Sequence, residues 1–207
     1  MSRPANPRRV TPGMSITGRR LATVTGGPVA VPDAGRLTHL QFRRFAGCPV
    51  CNLHLRSVVA RHDEILAAGI REVVVFHSSA EDLRPHVADL PFAVVPDPGK
   101  RLYAEFGVEA APRSLLHPRA LWAIIRGVVR DLGPVLLRRR PAPSLVPSGG
   151  NLGLPADLLI DGEGRVLAVK YGDHAYDQWP VDTLLALARA HSTTPSPRTA
   201  TPVKPLS

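Results

Sequence analysis

The two cysteines of the 207-residue chain stand as Cys48-Pro49-Val50-Cys51, inside the stretch FRRFAGCPVCNLHLRSVVARH from Phe42 to His62. Two thiols at this spacing can cycle between dithiol and disulfide, supply half of a metal site, or pack as small inert core residues. A structural zinc site needs about four ligands. His54, His62 and His77 stand near in sequence without a second close ligand pair, so no metal and no cofactor is expected. A purely structural disulfide is disfavoured because so short a loop restricts the unfolded chain little. A working dithiol is the reading we carry forward, against the inert one.

The elements around the pair decide how it would work. Arg36–Phe45 (RLTHLQFRRF) has apolar residues at alternating positions, as a strand would, and ends at Ala46-Gly47. From Cys51 onward, Leu53, Leu55, Val58, Val59, Ile65 and Leu66 recur at helical spacing until Gly69. The cysteines therefore sit where a strand turns into a helix. Cys48 falls at the helix N-terminus, whose free N–H groups and dipole favour thiolate over thiol, and Cys51 lies one turn later. Pro49 suits the first helical turn. Arg43 and Arg44 are near enough to add positive potential, but alternation sends them to opposite faces, so one of them at most faces the pair.

Further along, Arg71–Ser79 holds a continuous apolar run, Val73–Phe76, the form of a strand covered on both faces. Ser79 is placed to cap a short helix, AEDLRPHV. Phe92–Pro98 reads as another buried strand and KRLYAEFGV as a helix closed at Gly107. ADLLIDGEGRVLAVKYG is two strands joined at Gly162-Glu163-Gly164, and Pro180–His191 is a final amphipathic helix. Strand, CxxC, helix, then βα, then hairpin and closing helix predict an α/β fold: a thioredoxin-like mixed sheet flanked by helices. An apolar and basic segment at 112–151, with Arg126, Arg130 and Arg138–Arg140, is expected as a helical insertion that packs over the domain or makes a homodimer contact.

Charge narrows the function classes. The formal net charge is +9, from 26 Lys and Arg against 17 Asp and Glu. Five Arg lie in residues 1–20 and two basic residues in 192–207, where there are no acids, so 21–191 is nearly balanced. A balanced domain lacks the basic face of a nucleic-acid module. The two ends, the second with four Pro, have the composition of disordered tails around a domain at 21–191. The N-terminus has no apolar core of a secretory signal, and no run of about 18 apolar residues suggests a spanning helix. A cytoplasmic protein is expected, and there a close cysteine pair is more apt to cycle than to staple. Attachment to a membrane surface is not favoured.

LTHLQFRRFAGCPVCNLHLRS, VVVFHSS, VVPDPGKRLYAEFGV, LLIDGEGRVLAVKYGDHAYD and PVDTLLALAR together resemble the peroxiredoxin-like branch of the alkyl hydroperoxide reductase/thiol-specific antioxidant (AhpC/TSA) group, over about residues 20–190. The resemblance implies a thioredoxin fold, thiol-dependent reduction of peroxides, and recycling by small thiols or thioredoxin-like partners. Typical members carry Thr-x-x-Cys, which laid over this chain makes Cys51 the peroxidatic residue and puts Cys48 in place of the Thr. Laid over thioredoxin, Cys48 is the nucleophile and Cys51 resolves. The helix N-terminus acts most directly on Cys48, which favours the second assignment. Members also place an Arg just before the LLID-like strand. Here the segment is GLPADLLID, and Pro155 resembles the cis-proline that faces the CxxC of thioredoxins and positions substrate.

The sequence thus points to a peroxiredoxin-like oxidoreductase acting on peroxides or disulfides, with Cys48 and Cys51 as catalytic residues and Pro49 and Pro155 as positioning residues. The alternative is a low-turnover redox-sensing or partner-binding module on the same scaffold. His77 could approach the rim of the site, though a satisfied strand-end histidine is the plainer reading. Asp173, His174 and Asp177 could form a weak metal or anion site, though a polar loop explains them equally, with Tyr176 and Trp179 packing it.

Overall fold

The computed structural model describes residues 9–108 and 153–192, together with Trp122, Ile125 and Arg126. Strands β1 (Arg19–Leu21) and β2 (Val29–Val31) form a small antiparallel pair. β3 (Leu37–Arg43) follows, then helices α1 (Pro49–Ala60) and α2 (His62–Ala67), β4 (Ile70–Phe76) and α3 (Ala80–Val87). β5 (Ala93–Pro96) and α4 (Arg101–Glu105) precede 109–152, and β6 (Ala156–Ile160), β7 (Val166–Tyr171) and α5 (Val181–Ser192) complete the chain. The main sheet has the order β5-β4-β3-β6-β7. β3, β4 and β5 run parallel, and β6 and β7 are antiparallel to their neighbours. This is the mixed thioredoxin-like sheet that the order of motifs predicts.

Two apolar layers hold the sheet. Leu40 and Phe42 of β3, Val73 and Val75 of β4 and Leu158 and Ile160 of β6 pack on Tyr103 and Phe106. On the opposite face, Val74, Phe76 and Val94 meet Val50, Leu55, Leu83 and Val87 of α1 and α3, while Leu159 meets Val58, Leu184 and Ala188. Each such buried aliphatic side chain contributes about 1.5–3 kcal/mol of transfer free energy. Local signals set the element ends. Ser79 Oγ accepts the Asp82 N–H at 3.1 Å to cap α3, and Gly107 takes a positive φ of 66° just after α4. The helical run from Cys51 to Gly69 is two helices, because Arg61 leaves helical geometry at φ −121°.

One expectation changes. Residues 1–20 have the composition of a tail, yet from Arg9 the chain is docked. Gly13 N–H donates to the Val166 carbonyl at 2.8 Å and Ile16 N–H to the Gly164 carbonyl at 2.9 Å, and Val10 is buried. Composition misleads here because main-chain pairing along the end of β7 requires no apolar side chains. The helical insertion expected at 112–151 lies outside the described residues, apart from Trp122, Ile125 and Arg126, which are helical and exposed. Residues 1–8 and 193–207 likewise lie outside them.

Candidate active site

The parallel strands β3 and β4 end side by side, and the chain leaving β3 builds the site at that carboxyl edge. His77 N–H donates to the Arg44 carbonyl at 3.1 Å, which carries the ladder one step past the strands. Ala46 N–H is held by Ser78 Oγ at 3.0 Å. Gly47 then turns the chain with φ 72°, a conformation that a side chain would strain. Cys48 is the N-cap of α1, Pro49 takes the first helical position, and Asn52 N–H closes the first turn on the Cys48 carbonyl at 2.9 Å.

Both cysteines are free thiols, each 1% exposed, and their electrostatics differ sharply. Burial by itself would raise the Cys48 pKa. The Cys51 thiol, the Arg44 guanidinium and the backbone N–H groups of Cys51 and Val50 outweigh it and lower the pKa to about 6. Arg44 Nη1 stands 3.7 Å from Cys48 Sγ. Cys51 is pushed well above its ordinary value by burial and by the Cys48 sulfur beside it. One sulfur is set up as a thiolate, and the other as a thiol that hydrogen-bonds to it.

Arg43 turns the other way, as strand alternation requires. Its Nη2 donates to Asp157 Oδ1 at 2.6 Å, to Gln41 Oε1, and to His54 Nε2 at 3.2 Å. His39 places Nδ1 3.0 Å from Glu72 and Nε2 3.2 Å from Asp157, and Gln41 donates to Glu72. Trp179 N–H donates to the second Asp157 oxygen at 3.2 Å. Every side chain of this network is buried under α1 and α5, Trp179 included. Burial would lower the His39 pKa, but Glu72 and Asp157 raise it to about 9, so it is an imidazolium. Burial and the Arg43 charge lower His54 to about 3, leaving it neutral and able to accept from Arg43. Asp157 lies below the carboxylate range: burial opposes this, but Arg43 and His39 prevail. Arg43, His39, Glu72 and Asp157 thus balance two positive and two negative charges. Sequence analysis did not find this cluster. Its signal was there in three polar residues at alternating positions, His39, Gln41 and Arg43, on a strand flanked by apolar strands.

His77 is 1% exposed, and among the described residues neither ring nitrogen has a hydrogen-bond partner. Burial, with the charges of Lys100 and Arg44, lowers its pKa to about 4, so the ring is neutral. The plain reading of a satisfied strand-end histidine is therefore corrected. The Leu154–Pro155 bond is also not cis: among the described residues the cis peptide is Val31–Pro32. An X–Pro bond stays trans unless its surroundings force it. Pro155 is buried, and its carbonyl accepts the Gly172 N–H at 2.8 Å, leading the chain into β6. Asp177 pairs with Lys170 at 2.6 Å and accepts the Asp173 N–H at 3.0 Å, and Tyr176 N–H donates to His174 Nδ1 at 3.2 Å. Among the described residues no group of three His, Cys, Asp or Glu is arranged to hold a metal, and these three residues build a loop.

Known proteins agree with this architecture. The chain resembles the peroxidoxin BcpB of Mycobacterium tuberculosis, with 16% identity, TM-score 0.61, and 88% of this chain and 98% of that one covered. A reduced 2-Cys peroxiredoxin of Plasmodium vivax gives 13% identity and TM-score 0.62 over 88% of this chain and 82% of that one. A Chlorobium tepidum protein assigned as thiol:disulfide interchange protein DsbE gives 18% and 0.54 over 86% and 97%. Identities this low establish the fold alone. No curated protein sequence matches. The family model described as AhpC/TSA antioxidant enzyme matches residues 57–174, a stretch that begins after both cysteines, so their roles rest on the geometry above. Because that match spans more than half of the chain, from α1 through β7, this protein belongs to the AhpC/TSA antioxidant enzyme family.

Proposed function

We propose that the protein is a thiol-dependent oxidoreductase that reduces peroxides or disulfides through Cys48 and Cys51. The asymmetry of the pair carries the reading: a Cys48 pKa lowered to about 6 beside Arg44, against a Cys51 raised well above the ordinary value. A nucleophile must be ionised, and a resolving thiol keeps its proton until it attacks. With a hydroperoxide, the Cys48 thiolate forms a sulfur–oxygen bond to the terminal oxygen. The O–O bond breaks, and the departing alkoxide takes back the proton that Cys48 released on ionising. Cys51 then attacks the Cys48 sulfenic acid, releasing water and closing the disulfide. A small thiol or a thioredoxin-like partner supplies two electrons and two protons to reopen it. Pro49 keeps the cap geometry of Cys48, and Pro155 shapes the entry to β6. No described helix is long and apolar enough to cross a membrane, and we place the reaction in the cytoplasm.

The test mixes reduced protein rapidly with stoichiometric hydrogen peroxide, quenches with an alkylating agent and weighs the intact chain. Loss of two hydrogens, abolished by Cys48→Ser or Cys51→Ser, is expected. Cys51→Ser should retain a trappable sulfenic acid on Cys48, and trapping only in Cys48→Ser would reverse the two roles. Burial of both sulfurs, at 1% exposure each, favours one second reading, a slow redox sensor. That reading requires the same disulfide to form without sustained turnover when a thiol reductant is in excess.

A further inference from the structure

We propose that His77 is the substrate-binding residue that makes a hydroperoxide, rather than a disulfide, the preferred oxidant of Cys48; this rests on the dithiol reading above. The observation is a buried imidazole whose two nitrogens find no partner among the described residues. Buried polar groups nearly always have partners, and an exception asks for a ligand or a role. The position of His77 supplies the role. A Cβ at Gly153 would lie 3.0 Å from His77 Nε2 and 3.6 Å from the Arg44 side chain. The same Arg44 reaches Cys48 Sγ, so His77 and the nucleophile border one and the same side chain. The Phe45 and Tyr103 rings close two other sides, with centroids 6.5 and 5.6 Å from that of His77.

A neutral imidazole carries one donor and one acceptor. A hydroperoxide meets either nitrogen: its O–H donates to the bare one, and its oxygens accept from the N–H. A disulfide has no donor and only weak sulfur acceptors, so it leaves the ring as unsatisfied as it is now. The discrimination is a gain made by the hydroperoxide alone, because it satisfies a ring that the free protein and a bound disulfide both leave unpaired. When the thiolate attacks the terminal oxygen, the O–O bond breaks and its electron pair goes to the inner oxygen, which takes up a proton. A hydrogen bond from His77 to that oxygen holds it in line and stabilises its developing charge. Arg44 alone provides charge but does not distinguish the two oxidants.

The experiment compares oxidation of the reduced protein by tert-butyl hydroperoxide and by dimethyl disulfide, which carries no O–H or N–H, followed by rapid quench and intact mass. It uses wild type, His77→Leu and His77→Gln. The ratio of hydroperoxide to disulfide rate should fall on the order of tenfold to a hundredfold in His77→Leu. Glutamine, which places an amide near the position of Nε2, should recover most of that ratio. Absorbance at 240 nm should show the Cys48 thiolate at the same midpoint in all three, since His77 is not among the groups that set it. If His77→Leu slows both oxidants equally, or neither, the assignment is wrong while the dithiol reading stands. If neither oxidant links Cys48 to Cys51 in wild type, the dithiol reading itself fails and the assignment falls with it.

Discussion

Replacing Arg44 by methionine would isolate what the guanidinium does for Cys48. At 3.7 Å from Sγ, with an effective dielectric of about 20, the pair attracts by ~4.5 kcal/mol. Water admitted in place of the guanidinium recovers part of this, and the N–H groups of Val50 and Cys51 remain. If half is lost, ~2.2 kcal/mol, the ionisation constant of Cys48 falls about 40-fold. With a wild-type pKa of about 6, the thiolate fraction at pH 7 then drops from about nine-tenths to about one-fifth. The assay is thiolate absorbance at 240 nm in reduced protein, chosen because it does not require a reagent to reach a buried sulfur. Arg44→Lys keeps a charge on a flexible stem and should lie between the two. An unchanged midpoint in Arg44→Met would refute the argument and leave the helix N-terminus and Cys51 to account for the whole lowering.

Two further outcomes concern the buried network and the titrating groups. Asp157→Asn removes the carboxylate that Arg43, His39 and Trp179 share and leaves buried positive charge under-compensated. Urea unfolding should register a loss of ~3–5 kcal/mol, and a loss under about 1 kcal/mol would mean that the network relaxes freely. Stability should also fall in acid. His54 and His77 have folded pKa values lowered to about 3 and about 4 from 6.5, and Cys48 lowered to about 6 from 9.0. Each of these groups binds protons more weakly when folded, so its stabilisation is lost as pH drops through that range. His39, raised to about 9, acts oppositely: its contribution is complete below pH 6.5 and fades as pH rises through 9. Between pH 7 and 9 its loss, roughly 2 kcal/mol, is offset by a similar gain from the Cys48 thiolate. Denaturation of wild type should therefore be nearly flat over that interval, and Cys48→Ser should weaken across it.

Much of this was legible in the sequence because local signals and the global arrangement agree. Ser79 caps α3, Gly107 closes α4, the Gly162–Gly164 turn joins β6 to β7, and the continuous run Val73–Phe76 announces a central strand. The cysteines were placed correctly at a helix start for the same reason. What was not legible depends on neighbours far along the chain. His39 meets Asp157 across 118 residues, and nothing local to either announces the other. Residues 9–16 are held by main-chain bonds to Gly164 and Val166, which composition does not record. His77 was read as satisfied because most buried histidines are, and only its actual surroundings show that it is not.

The adjacent arginines at the end of β3 tie these two levels together. A strand puts neighbouring side chains on opposite faces, so Arg43 and Arg44 cannot serve the same anion. Arg43 joins the charges of Asp157, His39 and Glu72 in a balanced set. Arg44 faces Cys48, the one nearby group whose charge comes and goes with reaction. When Cys48 is oxidised its negative charge vanishes, and the attraction between Arg44 and that sulfur goes with it. The Arg43 side keeps its full set of partners throughout. The fold thus anchors β3 through one arginine and leaves the next to respond to the redox state of the dithiol. On this argument, the loop Arg44–Gly47 is where oxidised and reduced forms should differ, and protection of its amides from hydrogen exchange should fall on oxidation while that of β3 holds. Equal loss of protection in β3 would mean that the two arginines do not act separately.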